Sequence, residues 1–164
     1  MKFELIDRIV DLTPRERIVT IKAVSLAEEY LADHFPTFPV LPGVLMLQAM
    51  VESAAWLVRD AEEFSSSVIL LKSARNVTYK SFVRPGDALT LTVKCRRLGN
   101  GESEFEGIGH CRQDEMVRAR FGLEHFCLKD RMATGDEVDR RLTDQARSRF
   151  ALLRGAGERN NKTG

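Results

Sequence analysis

Cysteine is scarce: Cys95, Cys111 and Cys127 are the only three in a chain of 164 residues. They are too few and too widely spaced for a disulfide scaffold or a metal knuckle. They are expected as free thiols in a buried setting, in a reducing cytoplasmic compartment, and no metal or redox cofactor is called for. Charge of one sign is lacking too. The 25 Lys and Arg against 24 Asp and Glu leave a formal net charge of +1, which speaks against a dedicated nucleic-acid binder. No apolar run reaches the roughly 18–20 uncharged residues of a membrane span. The longest, Val44 to Val58, is broken by Gln48, Glu52 and Ser53. The opening Met1–Arg8 mixes charge into its apolar residues and does not read as a signal peptide. Internal repeats and low-complexity tracts are also missing.

What is present is enough for a core. Hydrophobic residues make up 43% and charged residues 30%, suiting one domain plus an appendage. Residues 3–12 read as extended, and Thr13-Pro14-Arg15 turns the chain. The β-branched run Arg17–Val24 reads as a second strand, so the two predict a hairpin. Ser25 to Leu31 reads as a short helical turn with Ser25 capping Glu28. From Gly43 to about Asp60 the chain is apolar nearly all round, predicting one long helix buried on every side. From Val68 the period changes to two, over 68–79, 89–95, 104–111 and 117–125, with turns at Pro85-Gly86-Asp87 and Gly99-Asn100-Gly101. These four stretches read as a meander. One buried helix and one antiparallel sheet suggest a sheet that wraps the helix.

The tail differs. Thr134-Gly135-Asp136-Glu137 fits a capping box. Val138, Leu142, Ala146, Phe150 and Leu153 follow at helical spacing, with Gly155 as a stop. Residues 1–128 are expected as one domain. Residues 129–164 are expected as an extension with an amphipathic helix and a loose polar end.

Chemistry concentrates where three of the five prolines fall, Pro36, Pro39 and Pro42. Such spacing fixes φ and stiffens the segment, leaving His34 little freedom just before the helix. Gly43 and Val44 then present N–H groups at the positive end of the helix dipole, where a carbonyl oxygen could be polarised. Gln48 and Glu52, four apart, share a helix face. That face turns either to solvent or a subunit interface, or to a reaction cavity. Histidine, a polar helix stripe and a helix N-terminus form an acid–base constellation suited to a carbonyl compound. His110 and His125 lie within strand patterns and read as structural.

The run His34-Phe35-Pro36-Thr37-Phe38-Pro39-Val40-Leu41-Pro42-Gly43-Val44-Leu45 closely resembles the signature of bacterial (3R)-hydroxyacyl-acyl carrier protein dehydratases of fatty-acid synthesis. Arg84-Pro85-Gly86-Asp87-Ala88-Leu89 resembles their second landmark, and residues 3–10 their opening strand. The likeness covers about residues 3–128. It implies an α+β hotdog fold, a curved antiparallel sheet around one long helix, here with an added C-terminal helix. It also implies roles. His34 would take a proton from C2 of the 3-hydroxyacyl thioester, the Val40 carbonyl would orient the imidazole, and the Gly43 N–H would bind the thioester carbonyl. An acid from the partner subunit would protonate the leaving hydroxyl. That acid position holds Gln48, which cannot readily give a proton, while Glu52 stands one turn later, as if the pair were swapped. Thr37 replaces a usual glycine.

The expected activity is therefore dehydration to a trans-2-enoyl thioester, with His34, Gln48 and Glu52 as catalytic candidates. Val40, Gly43, Val44, Phe35 and Phe38 are the substrate-binding candidates. The substrate would ride on the phosphopantetheine of an acyl carrier protein, or on coenzyme A. A homodimer or larger oligomer would have a pocket lined by Met46, Met50, Phe35 and Phe38. Lys72, Lys80, Arg84, Arg96 and Arg97 are candidates for a carrier-docking face. The alternatives are a hotdog thioesterase and a non-catalytic acyl- or carrier-binding module.

Overall fold

The computed structural model describes residues 4–35 and 37–155. Pro36 and the polar end from residue 156 lie outside the described residues. Strands β1 (Arg8–Thr13) and β2 (Arg17–Ala23) form the expected hairpin, followed by a four-residue helix α1 (Tyr30–Asp33) and the long helix α2 (Gly43–Ala61). Then come β3 (Val68–Tyr79), β4 (Ala88–Leu98), β5 (Glu102–Cys111), β6 (Asp114–Phe126) and a C-terminal helix α3 (Gly135–Leu153). All pairings are antiparallel, in one six-stranded sheet ordered β1-β2-β4-β5-β6-β3.

That order corrects the simple meander. β3 does not lie beside β4; it pairs with β6 at the far edge. The α2–β3 connection has carried the chain across the sheet, and β2 takes the place next to β4. Period-two alternation marks a strand but not its neighbour.

The sheet packs on α2 through alternating residues. Leu89, Leu91 and Val93 on β4, Phe105 on β5, and Val117, Ala119, Phe121 and Leu123 on β6 are all buried. β5 is glycine-rich because α2 and β6 press on it. A Cβ on Gly107 would lie 2.7 Å from Met50 Sδ, and one on Gly109 2.7 Å from Val117 Cγ1. Where polar groups enter the core they are paired. Thr20 and Ser53 hydroxyls are 2.7 Å apart, and Ser53 donates to the Ala49 carbonyl. The buried Lys22 ammonium donates to Glu28 at 2.6 Å.

Local details depart from the sequence patterns. The first strand begins at Arg8, and Leu5 and Ile6 ahead of it are buried non-strand residues. Ser25 Oγ accepts from the Ala27 N–H, not from Glu28. Thr134 makes no side-chain cap bond. Instead Asp139, one turn further on, accepts from the N–H groups of Leu128 and Lys129 and from the Ser67 hydroxyl. This ties α3 to the ends of both edge-side strands. Gly155 ends the described chain in the left-handed region, φ 66°, as a helix stop requires. Of the cysteines, Cys111 is buried, while Cys95 and Cys127 are half-buried; all three are free.

The α3 stripe packs on the body. Phe150 lies against Trp56 and Phe64, with ring centroids 5.8 and 5.5 Å away, and Leu153 is buried. It covers the C-terminal half of α2. The N-terminal half has no such cover: Val44 is 68% exposed and Gln48 is exposed. So α2 is not buried on every side.

The tight fit at β5 is testable. Gly109→Val pushes two methyls into Val117, Leu89 and Leu91, and should cost about 1–3 kcal/mol of stability by overpacking. Urea denaturation would read this as a lower midpoint at an unchanged slope.

Candidate active site

The segment from His34 to Gly43 is held at both ends. The His34 N–H bonds to the Tyr30 carbonyl at 3.2 Å, closing α1. The Leu41 N–H bonds to the Val83 carbonyl at 2.8 Å. Between them, Phe35 adopts φ 52°. A bulky residue in the left-handed region costs on the order of 1–3 kcal/mol and persists only where its surroundings fix it. The Phe38 N–H bonds back to the Phe35 carbonyl at 2.7 Å, making a tight turn. His34 is half-buried, with its ring 4.5 Å from that of Phe35.

Val40 is buried and so anchors this loop in the core. Pro42 is the N-cap of α2. Its carbonyl accepts from the N–H groups of Leu45 and Met46 at 2.9 and 3.2 Å. The N–H groups of Gly43 and Val44 precede the first helical bond, as the first turn dictates. Gly43 lies under the Tyr79 ring, where a Cβ would come within 3.2 Å. This brings the end of β3 to the helix N-terminus, a contact that spacing alone does not reveal.

Around this point large apolar side chains stand open. Phe35, Phe38, Val44, Tyr79 and Phe82 are all exposed. Phe38 meets Phe82 edge-on at 5.8 Å, and the Arg84 guanidinium lies 4.9 Å over the Phe38 ring. Met46 and Met50, expected to line a pocket, are instead buried core residues.

The polar stripe of α2 divides in two. Gln48 is exposed, one turn beyond Val44 on the open flank. Glu52 is half-buried, and its Oε2 accepts from the Leu5 N–H at 3.2 Å. Burial pushes the Glu52 carboxyl above its usual range. The Leu5 hydrogen bond and the positive charges of Arg149 and Arg59 pull the other way. Arg149 comes from α3 and also donates to Glu4 at 3.0 Å. Glu52 thus belongs to a junction of the N-terminal segment, α2 and α3.

His110 is half-buried in β5, and His125 is buried between two partners. Its Nε2 is 3.0 Å from Ser103 Oγ, and its Nδ1 is 2.8 Å from Glu62 Oε1. Four of the candidate docking cations are already paired: Lys72 with Glu102, Lys80 with Glu115, Arg96 with Glu106 and Arg97 with Glu104. Arg84 lies beside the histidine loop, over the Phe38 ring. Among the described residues no helix is long and apolar enough to cross a membrane.

Comparison with known proteins places this arrangement. The model of the FabA-like domain matches residues 1–115. The 3-hydroxyacyl-[acyl-carrier-protein] dehydratase FabZ of Polynucleobacter asymbioticus is 37% identical over 103 residues, 63% of this chain and 69% of that protein. The FabZ of Granulibacter bethesdensis is 35% identical over 129 residues, 77% of this chain and 75% of that one. Among solved structures, the dehydratase heterocomplex ApeI:P from Xenorhabdus doucetiae is similar with a TM-score of 0.62 at 18% identity, covering 74% of this chain and 82% of that one. The smu.793 protein of Streptococcus mutans, bound to acetyl CoA, has a TM-score of 0.57 at 14% identity, covering 76% and 91%. The structural likenesses establish the hotdog fold.

Glu52 generates a pH prediction. Its folded pKa is raised, so its contribution to stability is complete below the unfolded value of 4.5 and is lost as pH rises through the folded value. Glu52→Gln keeps an acceptor for the Leu5 N–H but cannot ionise. The variant should therefore lose less stability than wild type between about pH 4.5 and 8. Urea midpoints at the two ends of that range check it; parallel pH profiles would refute it.

Proposed function

The chain belongs to the FabA-like domain family, and from that premise we propose that it dehydrates (3R)-hydroxyacyl thioesters to trans-2-enoyl thioesters in fatty-acid or lipid biosynthesis. The observation that carries the reading is His34 held on a strained, twice-anchored loop that delivers the chain to the open N-terminus of α2.

On this reading the thioester carbonyl accepts from the Gly43 N–H, helped by Val44 and the helix dipole. That polarisation acidifies C2. The neutral His34 imidazole takes the C2 proton, its other nitrogen oriented by the Val40 carbonyl, and the negative charge spreads onto the thioester oxygen. Expulsion of the 3-hydroxyl needs a proton. Gln48, on the open flank, can hold a water by its amide but is not itself an acid. Glu52 is engaged with Leu5, so we favour a relay: Gln48-bound water protonates the leaving hydroxyl and takes the C2 proton back from the His34 imidazolium, which releases one water and restores neutral His34.

The exposed Phe35, Phe38, Val44, Tyr79 and Phe82, together with the unpaired edge of β3, call for a covering partner. We take this to be a second copy, giving a homodimer in which Gln48 of one chain faces His34 of the other. Phe35 and Phe38 would border the acyl chain. No cofactor is invoked. The acyl group rides on phosphopantetheine, carried by an acyl carrier protein or coenzyme A in the cytoplasm, and Arg84 offers a cation beside the entrance.

A second reading has a specific observation in its favour. The flank that turns outward carries an amide where a carboxylate would serve, which suits a non-catalytic acyl- or carrier-binding module.

Purified protein with a 3-hydroxyacyl thioester, followed by enoyl absorbance, separates the two. Wild type should turn over, and His34→Ala should fall by about 10²–10⁴-fold, the usual worth of a general base. Gln48→Glu should match or exceed wild type, and Glu52→Gln should stay within a few-fold. An inactive wild type rescued by Gln48→Glu would favour the binding module instead. No dehydration by either would reject this reaction.

A further inference from the structure

A second feature lies on the strands β3 to β6. A cavity of about 510 Å³ is lined by Ser73, Arg75 and Asn76 of β3, Arg96 of β4, Glu104 and Phe105 of β5, and Arg120, Phe121 and Gly122 of β6. Three of the lining side chains are guanidinium groups and one is a carboxylate.

The register makes the charge unusual. Arg75 is the cross-strand partner of Arg120. Like charges directly opposite destabilise a sheet. On its other side Arg120 faces Glu106, which is bonded to Arg96 and feels the charge of Arg120 at longer range. Glu104 is likewise held by Arg97, at 3.1 Å. Among the described residues, neither Arg75 nor Arg120 has an ion pair of its own.

The backbone around the cavity is irregular at three places. The register shifts between Leu71 and Ser73, between Arg75 and Thr78, and between Cys95 and Arg97. These shifts insert extra residues into the ladder, Arg96 among them. Asn76 lies at φ 51°, a left-handed conformation asparagine tolerates. Bulges re-aim side chains and recur beside binding sites. Gly122 forms the floor beneath the Ser73 hydroxyl, which stands 3.0 Å from where a Cβ on Gly122 would lie. Two guanidinium groups that face each other, a hydroxyl and an amide therefore line one cavity.

We propose that this cavity is a binding site for a phosphate-bearing small molecule, gripped by Arg75 and Arg120. Guanidinium forks match phosphate oxygens two at a time. Arg96 at the rim is committed to Glu106, and the Ser73 hydroxyl and Asn76 amide supply neutral donors. A bound anion would remove the Arg75–Arg120 repulsion, which gives the site a reason to be occupied. The same chemistry is offered by a free nucleotide and by the nucleotide moiety of coenzyme A.

The test uses the full chain and inorganic pyrophosphate as the probe, by titration calorimetry at low and high salt. Wild type should bind saturably, and more weakly as salt screens the contact. Arg75→Ala and Arg120→Ala should each weaken binding by about 10-fold or more, the worth of one charge-assisted contact. Arg141→Ala, a change on the exposed face of α3, should leave it unchanged. Both cavity variants should melt at or above the wild-type temperature, because each removes a like-charge neighbour. Competition by ADP but not by adenosine would assign the source to nucleotides generally. Competition by coenzyme A alone would assign it to the thioester carrier. No saturable binding, or equal losses in all three variants, would overturn the site.

Discussion

The structure depends on one constraint: α2 is apolar around almost its whole circumference and must be covered. A six-stranded sheet can cover one side of it. Leu5 and Ile6 cover a second strip, and α3 closes the C-terminal half through Phe150 and Leu153. Each of these follows from burying the same helix, at roughly 25 cal/mol per Å² of apolar surface removed from water. What is left is the N-terminal half, where Val44 and Gln48 stand open beside Phe35, Phe38, Tyr79 and Phe82. The proposed site and the proposed dimer contact are the same unfinished piece of that burial.

The same helix explains why Glu52 and Gln48 differ although they share a face. Between them the cover changes, from open flank to the N-terminal segment and α3. The carboxyl lands where a backbone N–H bonds it and burial raises its pKa, against the pull of the Arg149 and Arg59 charges. The amide lands where a partner would meet it. The C-terminal extension, outside the region matched by the family model, thus bears on how a residue of the helix is used.

Much of this was legible in the sequence, for physical reasons. The helix was visible because an apolar run of that length with Gly43 at its head has one economical conformation. The strands were visible because period two shows wherever one face is buried. The site segment was visible because prolines at every third position leave few backbone paths. Three things were not legible. The edge position of β3 depends on a crossover that no local pattern records. The Asp139 junction was hidden because Thr134 and Glu137 offered a capping box with better local credentials. The split between Gln48 and Glu52 required knowing that Leu5 and Arg149, far apart in the chain, meet on α2.

The central claim is that His34 moves the proton at C2 of a thioester bound at the N-terminus of α2. Its most direct test is to present a trans-2-enoyl thioester in deuterated water and follow the hydrated product by mass and NMR. The account predicts one deuterium at C2 of a 3-hydroxyacyl thioester with wild type, and none above background with His34→Ala of the same fold and oligomeric state. Equal incorporation by both proteins would contradict it.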